Sequence, residues 1–525
     1  TGLVQSAETP DRRPPRKEPR RKPKITLPES PVVSAPFSPL QIGTSAQLFV
    51  ERSIVRDTER VWFTLHPGQK HPRNPLIRAD REWEGWRVRT KGNAIFDEDE
   101  KVFKIWYGSE PPPGYFPPGR PYSYYAVSKD GLEWEKPLVG TIASLKLGLR
   151  HNVVIEGHHA CVVKDYTEAD PSRRYKGVFS ATPVEGDADN PKRVFISPDG
   201  LHWSKFSTKA VIDGVGDVMT ASYDEYRQVW VVFFKRPVIV RGVQRRSFGM
   251  MASPDLVQWS TPQMVFIPDF KDDAGSAGRL ERVRPMLHLP DDPKIMNTQF
   301  YGIGAYAAES CVVAFPWMFT MSAVSESGPR GSIEIQPAAS RDLVNWERHF
   351  RTPCIPMGAA GEWDSMLFTT QAKAIRRNDE VWLYYSAANY EHGAADPPPD
   401  SKPKNTWSIG LVKWKLDRFV SADAGAEGGV LTTVPLTYTG NHLELNARVR
   451  PGGSIRAEFL DMAGRPMEGA GPSLPSNGDS LRSRIGWGKN EGVVDRLKGK
   501  PVCLRFHLRN AELYSFAFRL DPDYS

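Results

Sequence analysis

A short box occurs four times in this sequence, and it restricts the chain to architectures built by repetition. It reads Ser128-Lys129-Asp130-Gly131-Leu132-Glu133-Trp134, then Ser197-Pro198-Asp199-Gly200-Leu201-His202-Trp203. It returns as Ser253-Pro254-Asp255-Leu256-Val257-Gln258-Trp259 and as Ser340-Arg341-Asp342-Leu343-Val344-Asn345-Trp346. A pattern Ser-x-Asp-[Gly/Leu]-x-x-Trp that recurs every few tens of residues marks a repeat fold before it marks a site. The Asp can fold a side-chain oxygen back onto nearby backbone N–H groups, and Gly permits a tight turn. The Trp then anchors the following strand in an apolar layer. Each box is expected to be a hairpin turn with a structural role.

Five hairpins rich in β-branched and aromatic residues surround the boxes, and such runs read as strands buried on both faces. They pair Ala94–Phe96 with 102–107, Ala160–Val163 with 175–179, Val218–Ser222 with 229–234, Tyr301–Tyr306 with 311–319, and Thr370–Ile375 with 381–385. In the first four units a third strand ends in the box and the box Trp starts a fourth. Five units of four antiparallel strands predict an all-β chain with a five-bladed β-propeller over residues 41–416. A last unit without a box, together with a strand at Ala46–Val50, predicts ring closure by that N-terminal strand, which removes an exposed sheet edge. From Asp417 the strands become short and alternating with Gly- and Pro-rich turns, so a C-terminal β-sandwich is expected over 417–525.

Charge narrows the function classes. The chain carries a net +7, of which the first 24 residues hold +5, leaving +2 for the body. A basic, Pro-rich segment over residues 1–40 reads as disordered. A nearly neutral body argues against a nucleic-acid partner, which calls for positive charge on the folded surface. No run of 18 apolar residues is present, so no transmembrane helix is expected. Cys161, Cys311, Cys354 and Cys503 lack metal-ligand spacing, and the default for Cys161 and Cys311 is a buried thiol. No Gly-rich phosphate loop, Ser/His/Asp signature or zinc spacing is visible, and no cofactor or metal is expected.

Connection lengths locate the site. The short turns, boxes included, share one face of the predicted ring. The long connections Ser109–Tyr122, 181–193, Lys235–Arg246, Phe270–Asn297 and 388–406 share the other, and loops of such length are usually functional. Residues just before each innermost strand must point toward the axis at that mouth. They are Glu82 and Glu84, His158 and His159, Asp213 and Asp217, Gln299 and Tyr301, then Glu362, Trp363 and Asp364. Converging carboxylates suit glycosidic-bond cleavage, in which one protonates the leaving oxygen and another attacks or activates water. Asp217 and Asp364 are the expected catalytic carboxylates, with Glu84 as a third. His158, His159, Arg236, Tyr301, Glu362 and Trp363 are expected to position the sugar. Arg236, Arg241, Arg245 and Arg246 form a cluster able to hold a carboxylate, sulfate or phosphate. His158 and His159 make a weak metal pair, because adjacent residues on extended backbone face opposite ways.

The boxes in a five-fold repeat, followed by a sandwich, resemble the five-bladed propeller glycosidases: the invertase, levansucrase and arabinanase-like group (glycoside hydrolase families 32, 43 and 68, more distantly 130). The stretches Asp170–Lys176, Gly361–Asp364 and Asp417–Ser421 look like bacterial secreted members of this fold. The resemblance implies a secreted or periplasmic glycoside hydrolase acting on a polysaccharide of furanosidic or acidic sugars. A phosphorylase and a non-catalytic carbohydrate-binding propeller are the alternatives. The sequence departs from the family in lacking an Asn-Asp-Pro-Asn start, an Arg-Asp-Pro triplet and a Glu-Cys pair, so individual catalytic residues do not carry over.

Overall fold

The computed structural model describes residues 38–180, 191–207, 209–212, 214–326, 328–394 and 407–521. The basic segment, Asp213 and parts of two long connections, 181–190 and 395–406, lie outside the described residues.

Five separate antiparallel sheets follow one another along the chain, and they are the five blades. Blade I orders its main strands as Val88–Arg89, Val102–Ser109, Tyr122–Ser128 and Val153–Glu156, with Ala94–Asp97 continuing its inner edge. Blade II runs His158–Lys164, Tyr175–Ser180, Lys192–Ser197 and Ser204–Lys205, and blade III runs Met219–Asp224, Val229–Val240, Val243–Ser253 and Gln263–Phe266. Blade IV pairs Asn297–Ala307 with Val312–Ser325, which pairs in turn with Gly328–Ile335 and Ala338–Ser340. Blade V contains Leu367–Thr370, Ile375–Arg377, Glu380–Ala388 and Ser408–Lys415. The expected Lys235–Arg246 loop is instead an extension of blade III, whose two middle strands stay paired to a tip at Arg241–Gly242.

The boxes are the turns the sequence dictates. In blade I, Asp130 Oδ1 accepts from the backbone N–H groups of Leu132 and Glu133 at 2.8 Å each, and Ser128 Oγ accepts from Gly131 N–H. The same bonds recur around Asp199 and Asp255, and Asp342 accepts the equivalent pair. The variable position of the box is left-handed in all four copies, with φ of +75° at Gly131, +80° at Gly200, +66° at Leu256 and +67° at Leu343. Where Gly stands, an aromatic ring of the preceding blade occupies the space. A Cβ on Gly131 would lie 2.8 Å from Trp382, and one on Gly200 would lie 2.8 Å from Trp106. Where Leu stands, its own buried side chain fills that space, which offsets the left-handed strain of roughly 1–2 kcal/mol.

Ring closure differs from the expectation. Gln69–Lys70, a polar stretch, adds the outer strand of blade V by pairing with Val412–Lys413. Asn74 clamps the same edge, its side chain exchanging two 2.9 Å hydrogen bonds with the Leu411 backbone. The apolar run at Ala46–Val50 goes elsewhere. Gln47 pairs with Phe516, and Phe49 packs between Phe63 and Phe516, so this run completes a C-terminal apolar layer. Residues 47–65, assigned above to the propeller, therefore belong to the C-terminal sheet. In that eight-stranded sheet the order Val55–Glu59, Gly429–Thr433, Cys503–Arg519, Val420–Ala424, Trp62–Leu65 puts N-terminal strands on two flanks. Each covers an edge that would otherwise stay open. All four cysteines are free and buried.

Candidate functional site

An open cavity of about 280 Å³ lies at the axis, lined by residues that begin the inner strands of blades I to IV. It collects Arg89, Lys91, His158, His159, Asp217 and Tyr301, with Glu110 and Arg120 from the long blade I connection. Its volume is near the lower end of small-ligand sites.

The histidine pair is built by a backbone irregularity. The register of blade II shifts between His158 and Cys161, and His159 takes φ +60°, a strained conformation for a residue with a side chain. This bulge defeats the alternation expected of adjacent strand residues. Both rings reach the cavity, 4.1 Å apart and at 78° to one another. Burial, reinforced by Lys192 and Lys91, pushes His158 down to about 3, so it is a neutral imidazole at physiological pH. His159 is also lowered well below the usual histidine range, by burial and by His158, and its Nδ1 has no hydrogen-bond partner among the described residues.

Asp217 is ion-paired with Lys235, the next residue after the buried run Val229–Phe234 of blade III. Over half of its side chain (57%) remains open to the cavity. Burial alone would raise its pKa, but Lys235 and Lys91 outweigh that and hold it well below the usual carboxylate range. The cations are perturbed in the opposite sense to their need for charge. Burial, with Arg89 and Lys235 adding to it, brings Lys91 down to about 7, and burial brings Lys192 to about 8 despite the pull of Asp217. Lys235 Nζ lies 4.3 Å and the Arg246 guanidinium 5.7 Å from the Tyr301 ring centre. Arg246 also donates to Gln299 Oε1 at 2.7 Å. The cavity thus presents an ionised Asp217 beside Lys91, with Arg89 paired to Glu110 in the same lining.

Of the residues expected in the site, Asp217, His158, His159 and Tyr301 meet here, and the others do not line it. Glu84 is fully buried, paired with Lys136 at 2.8 Å, hydrogen-bonded by Tyr107 Oη and accepting from the Asp80 and Arg81 N–H groups. Asp364 turns into blade V, where Lys70 Nζ (2.6 Å) and Tyr385 Oη (2.8 Å) hold it. Trp363 stacks on Tyr385, and Glu362 accepts from Ala359 N–H. Glu82 accepts from Tyr115 Oη. Arg236 is exposed on the blade III extension, and it is its buried neighbour Lys235 that pairs with Asp217. Of the Arg cluster, Arg241 and Arg245 are spent on Asp273, and Arg246 alone faces Tyr301. Glu110, a second carboxylate in the lining that the sequence reading passed over, is ion-paired with Arg87 and Arg89. Among the described residues no group of three or more His, Cys, Asp and Glu is placed to hold a metal ion, and no helix is long and apolar enough to cross a membrane.

No protein-family model matches the chain, and no curated protein matches it. Solved structures do. An N-acetylgalactosamine deacetylase from F. plautii, in complex with blood group B trisaccharide, is 16% identical, covering 68% of this chain and 96% of its own with a TM-score of 0.38. A β-1,2-mannobiose phosphorylase from Listeria innocua is 11% identical, covering 69% and 98% with a TM-score of 0.41. A glycosyl hydrolase from Bacteroides ovatus is 10% identical, covering 67% and 94% with a TM-score of 0.38. At such identities and scores the likeness brings neither substrate nor mechanism to this chain. The five-bladed propeller stands on the chain's own five sheets, and in that arrangement it resembles the propeller glycosidases.

Proposed function

We propose that the protein is a carbohydrate-active enzyme that hydrolyses glycosidic bonds in a saccharide bearing a carboxylate or sulfate, and that the reaction takes place at Asp217. The observation that carries this reading is an ionised Asp217 in one open cavity with Arg89 and Lys91, ion-paired from behind by Lys235. An anionic sugar suits a lining that holds Lys91 and Arg89, with Tyr301 offering a ring face beside it. Binding also prepares the chemistry. Once the anion neutralises the cations that hold Asp217 down, its pKa rises and it becomes a proton donor to the leaving oxygen. Arg120 and Glu110 at the rim line the path of the sugar chain.

Lys91 and Arg89 also favour a second reading, in which the anion is inorganic phosphate and the reaction is phosphorolysis. A library of neutral, uronate-bearing and sulfated oligosaccharides, digested with and without phosphate, separates the two. The first reading expects phosphate-independent cleavage of acidic members and a loss of at least about a hundredfold in kcat/KM for Asp217→Asn. Cleavage confined to phosphate-containing reactions would replace it by the second. Binding without cleavage, or an Asp217→Asn enzyme within about threefold of wild type, would refute both as to Asp217.

A further inference from the structure

Hydrolysis as read above has a proton donor in Asp217 but no evident acceptor for the proton of the attacking water, since Glu110 is committed to Arg87 and Arg89. We propose that Tyr301 and His392 are that acceptor: Tyr301 takes the proton from water while His392, one step behind it, receives the proton that Tyr301 gives up. This inference rests on the hydrolytic reading.

The hydrogen-bond directions are fixed by chemistry. His392 Nδ1 lies 2.8 Å from the Pro329 carbonyl oxygen, which can only accept, so Nδ1 carries the hydrogen and Nε2 has the free lone pair. Nε2 lies 3.0 Å from Tyr301 Oη, so the phenol must donate to it. The lone pairs of Tyr301 Oη are then left for a partner in the cavity that Tyr301 lines. The two rings stand nearly at right angles, 5.1 Å apart. The backbone keeps the tautomer in place. His392 N–H donates to the Gly331 carbonyl at 2.8 Å. The next residue, Gly393, has φ +76°, and a Cβ there would lie 2.6 Å from the same Pro329 oxygen. A larger residue would push away the carbonyl that selects the tautomer.

In the step, the water oxygen bonds to the anomeric carbon as one of its O–H bonds breaks. That proton goes to Tyr301 Oη, and the Tyr301 proton passes to His392 Nε2, so neither a phenolate nor a hydroxide is formed. The C–O bond to the leaving group breaks with its electron pair on oxygen, which takes the Asp217 proton. His392 ends as imidazolium and Asp217 as carboxylate, and one proton exchanged with solvent at each resets the site. The groups around His392 agree with a base that charges only during turnover. Arg246 and Lys235 of blade III oppose its charge, Asp217 favours it, Phe319 covers one face, and the adjacent Glu391 is paired with Arg330 and His288 at 3.3 Å each. In the empty cavity, burial and those two cations bring His392 down to about 4, and an anionic ligand cancels the share of the cations.

His392→Gln is the discriminating variant, because its amide can accept from Tyr301 and donate to Pro329 but cannot take a proton. Against an acidic oligosaccharide cleaved by wild type without phosphate, kcat is expected to fall at least about a hundredfold with KM within about threefold. The acid limb of the kcat profile should vanish, and Tyr301→Phe combined with His392→Gln should be no slower than the worse single variant. A His392→Gln enzyme within about threefold of wild type would overturn the relay while leaving hydrolysis intact. Nitrogen-15 NMR of labelled histidine provides a readout that needs no turnover. The relay expects Nδ1-protonated His392 at neutral pH with an Nε2 signal that moves in Tyr301→Phe, and an Nε2-protonated ring overturns it. A wild type that cleaves only with phosphate, or not at all, would remove the hydrolytic reading and the relay together, whichever tautomer is found.

Discussion

A lysine in the cavity lining makes anion binding a proton-linked event, and the size of the effect follows from Lys91. Burial brings Lys91, in the cavity lining, down to about 7 and Lys192, outside the lining, to about 8, against 10.5 for an unperturbed lysine. Both bind protons more weakly folded than unfolded, so in the free protein they subtract stability below those values, and the penalty is relieved as pH rises. An anion seated beside Lys91 reverses the perturbation and raises its pKa. Wherever the pH lies between the free and the bound value, affinity drops about tenfold per unit for each such lysine. Where Lys91 stays charged in the complex, a carboxylated oligosaccharide should lose roughly fiftyfold in affinity between pH 7 and 9. Isothermal titration calorimetry at constant ionic strength, in two buffers of different ionisation enthalpy, measures both quantities. About half a proton should be taken up per ligand at pH 7, where Lys91 is half protonated. Lys91→Met should weaken binding at pH 6 and flatten the profile between pH 7 and 8. Affinity that is level from pH 6 to 9, with no proton uptake, would refute the assignment of Lys91 to the anion.

Other consequences can be checked on stability and turnover. Glu84→Gln removes the buried carboxylate from Lys136, which keeps the more exposed Asp80 at 2.7 Å, and should cost up to about 3–5 kcal/mol in denaturant unfolding, with the kcat of the folded fraction unchanged. Asp364→Asn weakens the contact with Lys70 at the closing edge of blade V and should lower the melting temperature more than it lowers kcat. Gly200→Ala puts a Cβ 2.8 Å from Trp106 at φ +80° and should destabilise by at least about 2 kcal/mol, which thermal unfolding will show. His159→Gly releases the left-handed strain and should raise stability by about 1 kcal/mol while reducing turnover, a trade that a melting curve and a rate assay report side by side.

The blades were legible because the box repeats and because Ser, Asp and the left-handed position make the same turn each time. Ring closure was not, since it falls to Gln69 and Lys70, which have no strand pattern, while the apolar Ala46–Val50 run belongs to the other sheet. The rule that residues before an inner strand face the axis placed Asp217 and Tyr301 in the lining, but Glu84 and Asp364 are drawn aside by Lys136 and Lys70. Those partners are distant in sequence, so no local pattern announces them. Lys235 did leave a signal: a lysine that extends a strand buried on both faces has to find a charge, and here it finds Asp217. Lys91 and His392 left none, and the pairing of the His158 and His159 rings depends on a bulge that alternation cannot foresee.

The way the N-terminal strands are shared has a consequence for the order in which the molecule can assemble. Lys70 pairs with Val412, 342 positions later, and Gln47 pairs with Phe516, 469 positions later. During synthesis the first strands must wait, unpaired, for partners made last, while blade after blade forms from local hairpins between them. The ring is sealed only when Gln69–Lys70 can meet Val412–Lys413. A fragment cut at residue 416 would keep the blades and the Lys70–Val412 closure yet strand residues 47–65 without their sheet, so an excised propeller would carry an unpaired apolar segment at its N-terminal side.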